Sequence, residues 1–353
     1  MKIIKIDKKE WEQGLDKARE GYHLFGPVKD ENYHIIKELG STDYPDMDLS
    51  ASSDTILSPK SVIFPQTEKM LTASLDESQE NHHIMERVDT DYSPRALLGI
   101  KPYDARAFKF LELNFDTEEY KDPYFCDAMA ATTFVGLAVN TPSKFDFSTS
   151  VGTGPFDETG LDILLVDTDK EYLAKVITDK GDDFLSKCGF DNKADEQGAL
   201  KTIEALKENA EKAIGSEVSH GKLKDKTILE LYNASFWEDI SFSCINCGTC
   251  TYVCPTCWCF DIQDEAKDNV CTRYKNWDTC MSRLFTEHAT GHNPRESKLS
   301  RVRQRFMHKL KYFPDKYDQG LMCVGCGRCV KHCPVNIDIR EVCEQMNSYE
   351  ENA

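Results

Sequence analysis

The chain has 353 residues, 43 Lys and Arg against 61 Asp and Glu, and a formal net charge of −18. That length allows two or three domains and a sizeable buried core, so disulfides are not needed to hold it together. The acidic balance argues against nucleic acid as the main partner. Of the fifteen cysteines, thirteen fall between Cys244 and Cys343, which points to metal or redox chemistry in one region and not to a stapling framework spread along the chain.

The opening stretch Met1-Lys2-Ile3-Ile4-Lys5-Ile6-Asp7-Lys8-Lys9 carries charges without an apolar h-region or a small-residue cleavage site, so a cytoplasmic protein is expected. Nothing approaches the roughly 18 consecutive apolar residues of a spanning helix. The run Ile163-Leu164-Leu165-Val166 is typical of what the chain offers, and no membrane insertion is expected.

Up to about residue 240 the pattern is mixed α/β. Apolar runs at 61–64, 96–100, 133–139 and 162–166 predict buried strands. After the second comes Lys101-Pro102-Tyr103-Asp104, with Pro102 making a turn and Asp104 a candidate N-cap. Ala107, Phe108, Phe110, Leu111 and Leu113 then continue as an amphipathic helix. The segments 40–60 and 74–92 are polar and without periodicity, which predicts loops. Residues 195–216, with Leu200, Ile203, Leu206 and Ala210 at helical spacing, predict a helix. A second is expected after Lys224, using Ile228, Leu229, Leu231, Tyr232 and Phe236.

The cysteines then fall into a pattern. Cys244-Ile245-Asn246-Cys247-Gly248-Thr249-Cys250-Thr251-Tyr252-Val253-Cys254-Pro255 reads C-x2-C-x2-C-x3-C-P, and it recurs as Cys323-Val324-Gly325-Cys326-Gly327-Arg328-Cys329-Val330-Lys331-His332-Cys333-Pro334. This is the bacterial-ferredoxin run, in which three closely spaced thiolates wrap one cubane and the fourth, turned away at the proline, ligates the other cluster. The expected ligand sets are Cys244, Cys247, Cys250 and Cys333 for one [4Fe-4S] cluster, and Cys323, Cys326, Cys329 and Cys254 for the second. Gly248, Gly325 and Gly327 would let backbone amides turn toward the sulfurs. Paired zinc knuckles would leave the third cysteine of each run and the Cys-Pro ending unexplained. A cubane with four cysteine ligands has no open iron for substrate, so one-electron transfer is the expected role.

Between the motifs lie 68 residues, 255–322, read as a helical insertion. Within it, 299–312 predicts one basic amphipathic helix with Val302, Phe306 and Leu310 on one face. The stretch 272–312 has a local charge of +7. Two readings stand: a solvated charged face, or cations that offset cluster charge or dock an acidic partner. Cys257, Cys259, Cys271 and Cys280 could together bind a further metal, supplemented by His288 and His292. The more frequent outcome for such thiols is burial as structural groups, and Cys126, Cys188 and Cys343 read the same way. Gly152-Thr153-Gly154-Pro155 lacks the third glycine and the following helix of a nucleotide loop. No P-loop, nucleophile elbow or H-E-x-x-H is present.

Cys254-Pro255-Thr256-Cys257-Trp258-Cys259-Phe260-Asp261, Trp277-Asp278-Thr279-Cys280, Gly291-His292-Asn293-Pro294-Arg295 and Arg301-Val302-Arg303-Gln304-Arg305 with His308-Lys309 resemble the iron–sulfur subunits typified by the sulfhydrogenase beta subunit, a family that also includes an iron–sulfur component of anaerobic sulfite reductase. Upstream, Leu57-Ser58-Pro59-Lys60, Phe64-Pro65-Gln66 and Asp122-Pro123-Tyr124 look like the family's N-terminal half. The resemblance implies a relay with two partners. One is a flavin/NAD(P)H-binding oxidoreductase subunit, and the other is a catalytic subunit of hydrogenase, sulfite reductase or heterodisulfide-reductase-like type. Relatives also carry N-terminal cysteines resembling a third cluster site. Here those places read Pro102-Tyr103-Asp104, Val139-Asn140 and Asp146-Phe147-Ser148, so two clusters are expected and not three.

The expectation is therefore an α+β chain. An N-terminal mixed α/β partner-docking domain, 1–220, precedes a helical two-[4Fe-4S] ferredoxin-like domain, 221–353, with the basic insertion 255–322. Its expected role is electron transfer without catalysis of its own. The alternatives are a catalytic flavin- or metal-binding oxidoreductase chain and a mainly scaffolding subunit.

Overall fold

The computed structural model describes residues 2–50 and 55–350. Its first half is built around a seven-stranded sheet. In chain order the elements are β1 (Lys2–Asp7), α1 (Lys8–Ala18), β2 (His23–Asp30), β3 (Tyr33–Glu38), β4 (Thr67–Ser74), β5 (Glu86–Arg87), β6 (Arg95–Ile100), α2 (Pro102–Phe115), α3 (Pro123–Ala131), β7 (Thr132–Leu137), β8 (Ile163–Asp167), β9 (Glu171–Val176), α4 (Asp179–Cys188) and α5 (Glu196–Ala213). The sheet order is β1-β9-β8-β7-β6-β2-β3. The four central strands run parallel, β3 and β9 flank them antiparallel, and β1 pairs antiparallel with β9 at the edge, so it runs in the direction of the central strands.

Both faces of this sheet are covered, which is why its strands read as continuous apolar runs. Leu97, Phe134 and Leu164 pack on one side with Phe108 and Leu111 of α2 and Ile203 of α5. Their chain neighbours Leu98, Val135 and Leu165 pack on the other with Leu15 of α1 and Phe184 of α4. The alternation follows the two-residue period of a strand.

The expected strand at 61–64 is absent: Pro59–Val62 is a 3₁₀ turn. Ile63 and Phe64 are buried, so their apolar character reflects core packing, while Pro59 begins the turn and lacks the N–H a ladder needs. Helix α2 starts one turn earlier than expected. Lys101 is its N-cap and Pro102 its first residue, which frees Asp104 for another use. Most of 40–60 and 74–92 is irregular, apart from 3₁₀ turns at Ser41–Asp46 and Pro59–Val62 and the short β5; positions 51–54 lie outside the described residues.

The second half continues with α6 (Ile228–Tyr232), α7 (Phe236–Phe242), α8 (Thr249–Tyr252), β10 (Phe260–Lys267), β11 (Val270–Trp277), α9 (Lys298–Met307), α10 (Phe313–Tyr317), α11 (Arg328–Lys331) and α12 (Ile339–Ser348). The segment 255–322 is not wholly helical as expected, since it opens with the β10–β11 hairpin. Strand β11 pairs antiparallel with β4, giving a second sheet in the order β10-β11-β4-β5. Backbone hydrogen bonds therefore tie the cysteine-rich region to the N-terminal half. Buried Lys275 of β11 adds ion pairs to Glu68 at 2.6 Å and Asp122 at 3.0 Å.

The expected helix at 299–312 is present but interrupted. A π-helical turn, His308–Tyr312, separates α9 from α10. Pro314 follows it and has no N–H to give Leu310. Together, α9 and this turn pack Val302, Phe306 and Leu310 against Trp237 and Met346. No helix among the described residues is long and apolar enough to cross a membrane.

Candidate metal centres

The two cysteine runs fold alike. In the first, Asn246 (φ 55°) and Gly248 (φ 73°) take left-handed conformations on either side of Cys247; in the second, Gly325 (φ 70°) and Gly327 (φ 71°) do so around Cys326. Each run then enters a four-residue helix, α8 or α11. The left-handed steps bend backbone N–H groups toward sulfur. Asn246 N donates to Cys244 Sγ at 3.4 Å, Gly325 N donates to Cys323 Sγ, and Ile337 N donates to Cys333 Sγ at 3.2 Å.

Two cavities result. An outer one is lined by Cys244, Cys247, Cys250 and Cys333. An inner one is lined by Cys254, Cys323, Cys326 and Cys329. Each is lined by three thiols from one run and by the fourth from the other. Cys247 is solvent-exposed and the other seven are half-buried. Burial pushes the Cys250 thiol up to about 11 and Cys323 up to about 12. Such thiols become thiolates by binding metal and releasing protons.

The residues fit iron–sulfur clusters better than zinc. A tetrahedral zinc site with Zn–S near 2.3 Å gathers its sulfurs to about 3.8 Å. Among the described residues no three His, Cys, Asp or Glu side chains are gathered for a single ion. The thiols instead stand around two cavities, as ligands of a polynuclear group must.

The cations of the insertion are largely turned inward. Arg301, Arg305, Lys309 and Lys311 are all buried, so α9 and the π turn are not a solvated charged face. Lys309 Nζ donates to Thr256 Oγ1 at 2.7 Å beside the inner cavity, and Arg305 lines both cavities. The N-terminal half adds Lys60, which sequence reasoning missed. Its ammonium is buried, donates to the carbonyls of Cys254 at 3.0 Å and Cys257 at 2.7 Å, and lies 4.1 Å from the Trp277 ring centroid. Burial lowers it to about 8. Within Leu57-Ser58-Pro59-Lys60, a lysine beside an apolar run was the available signal.

The four additional cysteines do not form one site. Cys257 is hydrogen-bonded to Cys254, and Cys259 to Cys280. Cys271 sits near the tip of the hairpin opposite Ala266 and Ala73, six residues from the Trp277 end and thus about 20 Å along the strand. His288 and His292 lie on an exposed loop, joined by a backbone hydrogen bond of 2.8 Å. Cys188 and Cys343 are buried as expected, while Cys126 is half-buried.

The three places singled out by the resemblance, Pro102-Tyr103-Asp104, Val139-Asn140 and Asp146-Phe147-Ser148, converge beside the inner cavity. Tyr103 and Val139 pack with Val324 and Cys326, and Phe147 N donates to Gly325 O at 3.0 Å. Instead of thiols, the space holds an ion pair. Arg328 Nη1 and Nη2 donate to the two carboxylate oxygens of Asp104, both at 2.6 Å, with both residues buried. Nearby, burial raises the Asp146 carboxyl, whose Oδ1 accepts from Ser148 N.

This fold and these thiols support an iron–sulfur protein. A family model described as "4Fe-4S dicluster domain" matches residues 243–337. The chain is also 28% identical over 350 residues, covering 98% of each sequence, to "Sulfhydrogenase 2 subunit beta" of Pyrococcus furiosus. No solved structure matches it. Both matches support an iron–sulfur electron-transfer subunit, similar to that sulfhydrogenase beta subunit.

Proposed function

We propose that the chain relays single electrons through two [4Fe-4S] clusters. Cys244, Cys247, Cys250 and Cys333 would hold the outer one, and Cys254, Cys323, Cys326 and Cys329 the inner one. The observation that carries this is the crossing of the fourth thiol: Cys333 lines the first run's cavity and Cys254 the second's. When bound, such clusters supply one-electron redox chemistry at potentials set by hydrogen bonds, charge and burial around their sulfurs. The chain's own residues hold the sulfurs, direct N–H groups at them and place cations beside them.

The outer site is the electron port. Cys247 is exposed, and Ile245 in the cavity wall and Phe242 just before Cys244 present large apolar side chains to solvent. The name of the relative supports a hydrogenase-type complex. In it this chain would sit in the cytoplasm between two partners, one of them catalytic and the other binding flavin and NAD(P)H. Residues 1–220 would dock those partners and 221–353 would carry the clusters.

Anaerobic reconstitution of the full chain tests the reading by iron and sulfide analysis. About eight irons per chain are expected for two cubanes, and about twelve would overturn the count. Cys333→Ser should remove the outer cluster's EPR signal, and Cys254→Ser the inner one's. Loss of the same signal in both variants would refute the crossed ligation.

A further inference from the structure

Arg305 stands in the wall shared by the two cavities. It is 4% exposed, and its Nε and Nη2 atoms are buried with no hydrogen-bond partner among the described residues. The groups acting most strongly on its charge are thiols, Cys250 on the outer side and Cys329 on the inner, followed by Cys257 and Cys254. Arg328, the other buried arginine near a cluster site, is neutralised by Asp104 through two hydrogen bonds. Arg305 is thus a buried cation facing sulfur. Holding an uncompensated charge out of water is unfavourable by several kcal/mol, so its position makes sense if anionic groups lie on both sides.

We propose that Arg305 sets the potentials of both clusters jointly, its guanidinium donating to sulfurs on either side of the wall. The inference rests on the two-cluster reading above. A guanidinium carries five N–H donors in a planar fork, enough to serve two neighbours at once. Each electron added makes a cluster more negative, and a fixed positive charge between the sites stabilises the reduced form of either. Both potentials are held up together, so an electron is not trapped on one side of the wall. Electron exchange between the sites forms and breaks no bond.

The test is an EPR-monitored redox titration of the reconstituted full chain, with iron and sulfide measured first. Arg305→Gln should lower both midpoint potentials. Arg305→Lys, which keeps the charge but loses the fork, should lower both by less. Arg303→Gln is the control, because Arg303 lies over the Tyr232 ring at 3.4 Å and lines neither cavity; it should leave both unchanged. A shift confined to one signal in Arg305→Gln, or none in either, would overturn the proposal. If Arg305→Gln does not load its clusters, Arg305→Lys decides: two lowered potentials support the proposal and unchanged potentials refute it. A wild-type chain without two cluster signals would refute the two-cluster reading itself, a separate outcome.

Discussion

The two cysteine runs have one backbone path and two environments. Their left-handed steps and short helices match in kind, yet the first step is Asn246 in one run and Gly325 in the other. The neighbours explain the difference. A Cβ on Gly325 would collide with the backbone of Ser148, and one on Gly327 with the carbonyl of Phe145. The inner run is pressed against the N-terminal half, leaving no room for a side chain. Asn246 meets no such wall, and asparagine tolerates positive φ. The same contrast runs through the charges: the inner run's α11 begins with Arg328, locked to Asp104, while the outer run's α8 begins with Thr249. Burial makes one copy part of the core and leaves the other at the surface.

The comparison can be broken most forcefully at the ion pair. Asp104→Asn or Arg328→Met leaves a buried charge unpaired and should lower stability by about 3 to 5 kcal/mol in denaturant unfolding. Removing both together, as Asp104→Leu with Arg328→Met, should cost less than either alone. Gly325→Ala comes next, with an expected loss of roughly 3 kcal/mol from its collision with the Ser148 backbone. The change that should matter least is Asn246→Gly at the equivalent outer position, which should stay within about 1 kcal/mol. Comparable losses at 246 and 325 would mean that the inner run is not confined as described.

Acid should also separate the regions. Burial lowers His308, on the π turn beside the inner site, from its usual 6.5 to about 4. The native state then keeps it neutral while the unfolded chain binds a proton. Its contribution is present above pH 6.5 and is lost as pH falls toward about 4. The loss would be about 3 kcal/mol at most. His308→Phe should therefore flatten the stability profile of the wild-type chain between those limits, as read by unfolding at matched pH values. An unchanged slope would place the titration elsewhere.

The cysteine runs were legible because the spacing of candidate ligands is a local property: three thiols on one turn and a fourth just before proline depend on little outside the run itself. Central strands β6, β7 and β8 were legible too, since a doubly covered strand must be apolar throughout. The β10–β11 hairpin was not. Its sequence is mostly polar and its partner is β4, far earlier in the chain, and no local periodicity records such a partner. The apolar run at 61–64 misled for the related reason that burial alone does not specify a strand. Pairing across the chain also divides the four additional cysteines, placing Cys271 near the hairpin tip and the Cys259–Cys280 pair at its base.

By itself the sequence pointed to iron–sulfur chemistry in the cysteine runs and to the mixed architecture ahead of them. Only the tertiary structure decided where the charges went. The insertion's basic helix reads from composition either as a solvated face or as cations for the clusters or a partner; in the fold Arg305 and Lys309 point inward, and Lys60 reaches the same place from the other half of the chain. An amphipathic pattern records which face is apolar, but not that buried sulfur awaits the cations. Coulomb attraction in a poorly solvated interior acts between groups that only the fold brings together.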